Sequence, residues 1–185
     1  MLVKTKNQNV HCNIYRDKEG VSDEIKFFRI IATNDQNYEI GNLNFSCKKN
    51  REVWLYQIAT KEEFQYQGIG QAMLDVFEVF CSINSCSHIE GRFIPDNDYA
   101  ETFYHKNGYS IFEDSYRDYI IKDLRCSQVF VEKSPKIEGE LCVLDYAEYQ
   151  KQQEAKNIVS EISKNNADKK QQKQNCAIIQ TNNFS

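Results

Sequence analysis

The sequence predicts an α+β fold: a central, mostly antiparallel, twisted sheet of about six or seven strands, flanked by helices and followed by a C-terminal helix and tail. Three observations predict it. Runs rich in Ile, Phe, Tyr and Val alternate with turn-forming NDQN and KKNR from about residue 26. Two later segments carry apolar residues at helical spacing, one opening at a glycine pair and one closing at a glycine. Beyond about residue 133 the composition turns polar, with Gln, Lys and Asn dominant.

The runs IKFFRIIAT, YEIGNLNFS and EVWLYQIAT read as an antiparallel meander. Within YEIGNLNFS the apolar parity switches, from Tyr38 and Ile40 to Leu43 and Phe45, which predicts a bulge near Gly41. VWLYQIA is apolar at nearly every position and predicts a strand covered on both faces by helices. After QYQGIG, Ile69, Met73, Val76, Phe77 and Phe80 recur at a 3.6-residue period and predict a helix of about 14 residues. HIEGRFI reads as the next strand. PDNDYAETFYHKNG reads as a short helix, capped by Asp96 or Asn97, with Ala100, Phe103 and Tyr104 on one face and Gly108 at its end. YSIF and YRDYIIKDL supply two more strands. In DYAEYQKQQEAKNIVSEIS, Ala155, Ile158, Val159 and Ile162 mark a short amphipathic helix, and NNADKKQQKQN after it is low in complexity. The expected organisation is a domain over residues 1–133, an extension with the amphipathic helix over 134–164, and a polar, disordered tail over 165–185.

A chain of 185 residues, 41% hydrophobic, suits one domain with a tail. The net charge of -4 supplies no global basic field, so neither nucleic acid nor an anionic membrane is expected as a partner. The start MLVKTKNQNVHC lacks a signal-peptide core, and no run approaches the roughly 18 apolar residues of a membrane span. A cytoplasmic protein is expected. Its 7 cysteines, Cys12, Cys47, Cys81, Cys86, Cys126, Cys142 and Cys176, are odd in number and form no CxxC, which predicts free thiols and no disulfide. Cys81, Cys86 and His88 do not stand at a zinc-ligand spacing, and no metal is expected.

The glycine pair in QYQGIG admits several readings. A P-loop needs Lys followed by Ser or Thr, but Gln71, Ala72 and Met73 follow the glycines. A dinucleotide fingerprint needs a third glycine where Met73 stands, and a parallel βαβ unit. A tight turn without ligand stays open, as does a seat for phosphate oxygens on the free amides of the helix that follows.

The spacing Gln65-x-x-Gly68-x-Gly70 opens a helix after an apolar strand, and FYHKNGY, Phe103 to Tyr109, follows about 35 residues later. Together these resemble the GNAT superfamily of acyl-CoA-dependent N-acetyltransferases, whose pyrophosphate loop reads [QR]-x-x-G-x-[GA] and whose later helix carries an FYxKxGF-like segment. The resemblance covers residues 26–125 in element order and is specific in residues over 53–109. It implies direct transfer of an acetyl group from acetyl-CoA to a primary amine of a small molecule or protein, without a metal. By that likeness Ile58, Ala59 and Thr60 face the pantetheine arm, and the amides of Gln65, Tyr66, Gln67, Gly68, Ile69, Gly70 and Gln71 face the pyrophosphate. Tyr104 matches the tyrosine that serves as general acid, and Asn97 a polar residue that bonds the cofactor arm, though it could equally be only a helix cap.

Two departures stand out. Many relatives carry Arg where Gln65 or Gln67 stands, although helix N-terminal amides bind phosphate without a basic side chain. Members with an acidic base place it in the strand before the loop, where this chain has Trp54, Leu55, Tyr56 and Gln57; Glu52 at the strand's edge and Glu90 on the next strand remain as bases acting through water. The missing base and the extra C-terminal segment keep a second reading open, a non-catalytic acyl-CoA-binding module that signals through its terminal helix. That helix could pack on its own domain, bind a partner or pair two copies as a homodimer. The N-terminal stretch HCNIYRDKEGVSDEIK is short and polar, which predicts an open acceptor groove.

Overall fold

The computed structural model describes residues 1–22, 24–93, 98–112, 118–124, 137–138, 142–158 and 160–161. Asp96, Asn97, Val159, Ile162, the tail over 165–185 and the expected boundaries near 133 and 164 lie outside the described residues. The chain divides into two compact units, Met1–Tyr146 and Ala147–Ser185.

The first unit holds strands β1 (Leu2–Lys4), β2 (Asn9–Ser22), β3 (Ile25–Thr33), β4 (Glu39–Lys48) and β5 (Glu52–Thr60), then helix α1 (Ile69–Ile83) and strand β6 (His88–Phe93). Helix α2 (Asp98–Lys106) and strands β7 (Ser110–Phe112), β8 (Asp118–Asp123), β9 (Ile137–Glu138) and β10 (Val143–Asp145) complete it. One sheet runs in the order β7-β8-β6-β5-β4-β3-β2-β1-β9, with β10 beside β2. Pairing is antiparallel except for β5 with β6 and β2 with β10. The mostly antiparallel α+β fold is as the sequence predicts, but the sheet is wider than six or seven strands.

Part of that width is the N-terminal stretch. HCNIYRDKEGVSDEIK, expected as a short polar segment bordering an open groove, instead supplies most of the long strand β2. Its polar residues obscure an alternation: Val10, Cys12 and Ile14 are all buried, while His11 and Asn13 point to the other face.

α1 packs across one face of the sheet. Its buried positions Ile69, Met73, Val76, Phe77 and Phe80 keep the helical period, and they meet Ile14, Ile30, Leu43, Phe45 and Leu55. Phe45 sits with its ring centroid 4.8 Å from that of Phe77 and 5.1 Å from that of Phe80. Each such side chain, fully buried, stabilises the fold by about 1.5–3 kcal/mol, so this face dominates the core.

The opposite face differs from the expectation for VWLYQIA. Leu55 and Val53 are buried against the helix side, but Tyr56 is 49% exposed and Gln57 is open to solvent. Trp and Tyr bury an apolar body while leaving a polar edge in water, so an aromatic-rich strand need not be covered twice.

Two bulges shape β4 and β5. Ala32 pairs with Gly41 and Thr33 with Glu39, which leaves Ile40 extra, as the parity switch near Gly41 predicts. Asn44 pairs with Gln57 and Phe45 with Leu55, which leaves Tyr56 extra in β5. Up to that point β5 runs parallel to β6, from Glu52 beside His88 to Leu55 beside Gly91. The approach is so close there that a Cβ on Gly91 would lie 2.8 Å from the Leu55 carbonyl oxygen, which only glycine allows. Past the bulge the described residues of the two strands no longer pair.

In the second unit, residues 147–158, 160 and 161 are helical, with Ala155 exposed and Ile158 57% exposed. Among the described residues no helix is long and apolar enough to cross a membrane.

Candidate active site

Past Leu55 and Gly91 no described residue of β6 pairs with β5, which leaves an opening beside the second half of β5 among the described residues. The Lys61 amide donates to the Ile40 carbonyl at 3.0 Å. Backbone groups alternate sides along a strand, so those of Ile58 and Thr60 face away from β4, into the opening, whereas those of Ala59 turn toward its partner Asn42. A strand edge whose donors and acceptors have no partner among the described residues thus leads from the bulge toward α1.

A 3-10 turn at Glu62–Phe64 carries the chain from β5 into QYQGIG. Tyr66 has φ 61° and Gly68 φ 83°, so two left-handed residues reverse the chain before α1 begins. The first intrahelical bond runs from the Ala72 amide to the Gly68 carbonyl at 3.0 Å. The amides of Ile69, Gly70 and Gln71 therefore stand in the helix's first turn without carbonyls behind them. No acidic residue occupies that turn. A Cβ on Gly70 would lie 3.9 Å from both the Phe103 ring and Thr60 Oγ1, so the seat is bounded by β5 on one side and α2 on the other.

Neighbouring loop residues are partly engaged. The Gln65 amide already donates to the Glu62 carbonyl at 3.2 Å. The Gln67 side chain accepts from Gln8 Nε2 at 3.0 Å and donates to the Glu63 carbonyl at 3.2 Å. Tyr66 is 79% exposed and meets Tyr99 edge-on. The residues fit a pyrophosphate: three outward amides at a positive helix end, two left-handed residues and no carboxylate in the first turn.

Tyr104 projects from α2 into the core on the α1 side, 8% exposed, within 5.4–5.6 Å, centroid to centroid, of the rings of Phe93, Phe103 and Tyr109. Desolvation pushes its hydroxyl up from 10.0 to about 12, so it stays a protonated donor throughout the physiological range.

Behind it lies a polar network that sequence reasoning missed. Gln71 Nε2 donates to Asp75 Oδ1 at 2.9 Å and to Asn107 Oδ1 at 2.6 Å, which ties the loop end of α1 to the end of α2. Lys122 Nζ donates to Glu78 Oε1 at 2.7 Å and to the Asn107 carbonyl at 2.6 Å, and the Tyr109 hydroxyl donates to Glu78 Oε1 at 3.0 Å. Burial raises both Asp75, to about 6, and Glu78, the latter opposed by Lys122 and Tyr109.

The two carboxylates considered as bases lie elsewhere. Glu52 starts β5, some 20 Å along the strand from Ile58 at about 3.3 Å per residue. Its ion pair with Lys48 at 2.8 Å holds its carboxyl below the ordinary value, which makes it a weaker base. Glu90 pairs with Trp54 across the strands, on the sheet face opposite Tyr104, 3.2 Å from His88 Nε2. At the start of α1 the structure sets Gly70 against Thr60 of β5 and Phe103 of α2, the residue before Tyr104, while Glu52 is engaged with Lys48 and Glu90 lies beside His88. Among the described residues no group of three or more His, Cys, Asp or Glu is placed to hold a metal, and Cys12, Cys47, Cys81, Cys86 and Cys142 are free thiols.

A family model described as the acetyltransferase (GNAT) domain matches residues 25–111, the stretch from β3 to β7 that contains the opening, the loop and α2. No curated protein sequence matches the chain. Among solved structures, the chain is similar to an acyl-CoA N-acyltransferase assigned in Klebsiella pneumoniae, at 14% identity and TM-score 0.50, over 53% of this chain and 72% of that one. It is also similar to the PaiA N-acetyltransferase of Thermoplasma acidophilum, solved with coenzyme A, at 21% identity and TM-score 0.48, over 54% of this chain and 61% of that one. An acetyltransferase of the GNAT family from Staphylococcus aureus gives 17% identity and TM-score 0.47, over 54% and 68%. The chain thus spans less than two thirds of the Thermoplasma protein, and at 14% identity the likeness to the Klebsiella protein is one of fold alone. Sheet, glycine loop and family-model match point the same way: over residues 25–111, a little under half of the chain, the sequence is similar to the acetyltransferase (GNAT) domain.

Proposed function

We propose that this chain transfers the acetyl group of acetyl-CoA to a primary amine of a small molecule or protein by direct attack. The observation that carries the reading is two sets of outward backbone groups with no partner among the described residues, on the β5 edge at Ile58 and Thr60 and at the amides of Ile69, Gly70 and Gln71, with α2, which carries Tyr104, against Gly70 through Phe103. When bound, acetyl-CoA supplies an anionic pyrophosphate and an activated thioester. The α1 amides hold the phosphates through the positive end of the helix, and the β5 edge holds an extended amide-bearing arm as a sheet holds a strand.

Tyr104 serves the departing sulfur. Its hydroxyl sits near 12 while an ordinary thiol sits near 8.5. Full proton transfer from it would run uphill by roughly 3.5 units, about 5 kcal/mol, so Tyr104 donates a hydrogen bond and leaves final protonation to water. Glu90, on the far face of the sheet, takes the amine's proton through water; Glu52, paired to Lys48 at the wrong end of β5, does not serve.

The test is release of free thiol from acetyl-CoA across a panel of amines. Wild type turns over at least one, and Tyr104→Phe lowers kcat by about 10²-fold with acetyl-CoA affinity unchanged, as when a single donor to developing charge is removed. Binding of acetyl-CoA with no thiol release for any amine would contradict transfer and favour the non-catalytic module.

A further inference from the structure

The sheet face opposite α1 carries a line of side chains that the reaction above leaves unused. Register places Tyr15 beside Arg29, Arg29 beside Asn44 and Asn44 beside Gln57. Arg92 follows Gly91, the partner of Leu55, so it reaches the same face next to the bulged Tyr56, and it pairs with Tyr119 on β8. The line crosses the sheet where β5 parts from β6.

Its two cations are held by rings rather than acids. The Arg92 guanidinium lies 4.5 Å from the centroid of Tyr119 and 5.4 Å from that of Trp54. The Arg29 guanidinium lies 4.2 Å from the centroid of Tyr146 and donates to the Tyr146 hydroxyl at 2.7 Å. Among the described residues neither arginine has a carboxylate partner. Glu90, two residues before Arg92 on the same face, is taken up by His88. Between the arginines Asn44 Nδ2 donates to Gln57 Oε1 at 3.2 Å, and Asn44 Oδ1 is enclosed with no donor among the described residues.

In a chain with 27 acidic residues against 23 basic ones, an arginine left without an acid is available for a ligand. A guanidinium lying over aromatic faces keeps its N–H edge free, and that planar fork matches a carboxylate in two parallel hydrogen bonds. Ring contact also restrains the side chain before a ligand arrives, which lowers the entropy lost on binding. Arg29 and Arg92 stand three strands apart, at least about 14 Å because β5 and β6 part there, room for an acceptor the size of an amino acid or dipeptide.

We infer that the acceptor is an amine that also carries a carboxylate, and that Arg92 binds this carboxylate on the open face beside the β5 bulge while Arg29 walls the far end. The amine's fate rests on the acetyl-transfer reading; the carboxylate site does not. Arg92 is thus a specificity-determining residue that places the amine at the opening.

The experiment compares glycine, L-phenylalanine, L-glutamate and L-lysine with their α-amides, using wild type and Arg92→Gln. Thiol release with acetyl-CoA is one readout, and calorimetric binding of each compound without acetyl-CoA is the other. Wild type favours an acid over its amide, and Arg92→Gln raises KM and Kd for that acid by about 10–100-fold, as loss of a charge-assisted bond does, with kcat and the amides little changed. Acids and amides bound or used alike, an equal effect of Arg92→Gln on both, or no binding of any acid would overturn the inference, even if other amines are acetylated. Arg92-dependent binding of an acid with no thiol release from any compound would uphold the carboxylate site and count against acetyl transfer instead.

Discussion

Replacing Asp75 by Asn should stabilise the protein above pH 6 and leave it unchanged near pH 4. Asp75 is half-buried on α1, its carboxylate accepting from Gln71 Nε2, with Glu78 one turn away adding repulsion. Desolvation raises its carboxyl from 3.8 to about 6. A carboxyl that holds its proton more firmly when folded favours the folded state at low pH, and that advantage is lost as pH rises through 6. Roughly 2 units at 1.36 kcal/mol each give a cost of about 3 kcal/mol at pH 8, which residual solvent screening trims to about 1–2 kcal/mol. Asn removes the charge and keeps an oxygen that can accept from Gln71. Urea unfolding of both proteins at pH 4, 6 and 8 should show midpoints that coincide at pH 4 and diverge upward for the variant. A variant less stable at pH 8, or a difference flat with pH, would mean that the Gln71 bond to the charged oxygen outweighs desolvation.

Two other outcomes follow from the same cluster and its neighbour. Lys122→Met leaves Glu78 buried with the Tyr109 hydroxyl as its one donor among the described residues, and should cost about 3–5 kcal/mol at pH 8. Because Glu78 is already raised and rises further without Lys122, denaturant unfolding of this variant should recover part of that loss as pH falls toward 5, when the buried carboxyl takes a proton. With Tyr104 held near 12, kcat should show no alkaline fall assignable to its ionisation below about pH 11; a limb near pH 10 that Tyr104→Phe abolishes would contradict its burial.

What was legible in the sequence is what local pattern encodes. α1 was readable because five apolar residues from Ile69 to Phe80 keep one face, and the loop because glycines before a helix have few uses. The Gly41 bulge showed as a parity switch. The second bulge carried the same kind of signal, since Val53, Leu55 and Ile58 are spaced two and then three apart, but the aromatics between them masked it. β2 was read as a polar stretch because its exposed face dominates its composition, although Val10, Cys12 and Ile14 alternate correctly. The network of Gln71, Asp75, Glu78, Asn107, Tyr109 and Lys122 was not legible, because all its contacts but the one-turn bond of Gln71 to Asp75 join residues 15 to 44 positions apart and no local pattern records them. The same holds for Arg92, whose ring partners Trp54 and Tyr119 come from two other strands.

The central claim is that the unpaired amides at the start of α1 hold acetyl-CoA, and calorimetric titration of wild type, Gly70→Ala and Gly70→Glu tests it most directly. An Ala methyl at Gly70 meets Phe103 and Thr60 at ordinary contact distance, so that variant should fold and bind much as wild type does. Glu brings a negative charge into the seat and should weaken binding at least about 100-fold, the loss expected from an unpaired like charge beside a desolvated phosphate. Wild-type binding abolished by Glu and spared by Ala would establish the seat. Acetyl-CoA binding unaffected by Glu, or absent in wild type, would contradict it and reduce QYQGIG to a turn.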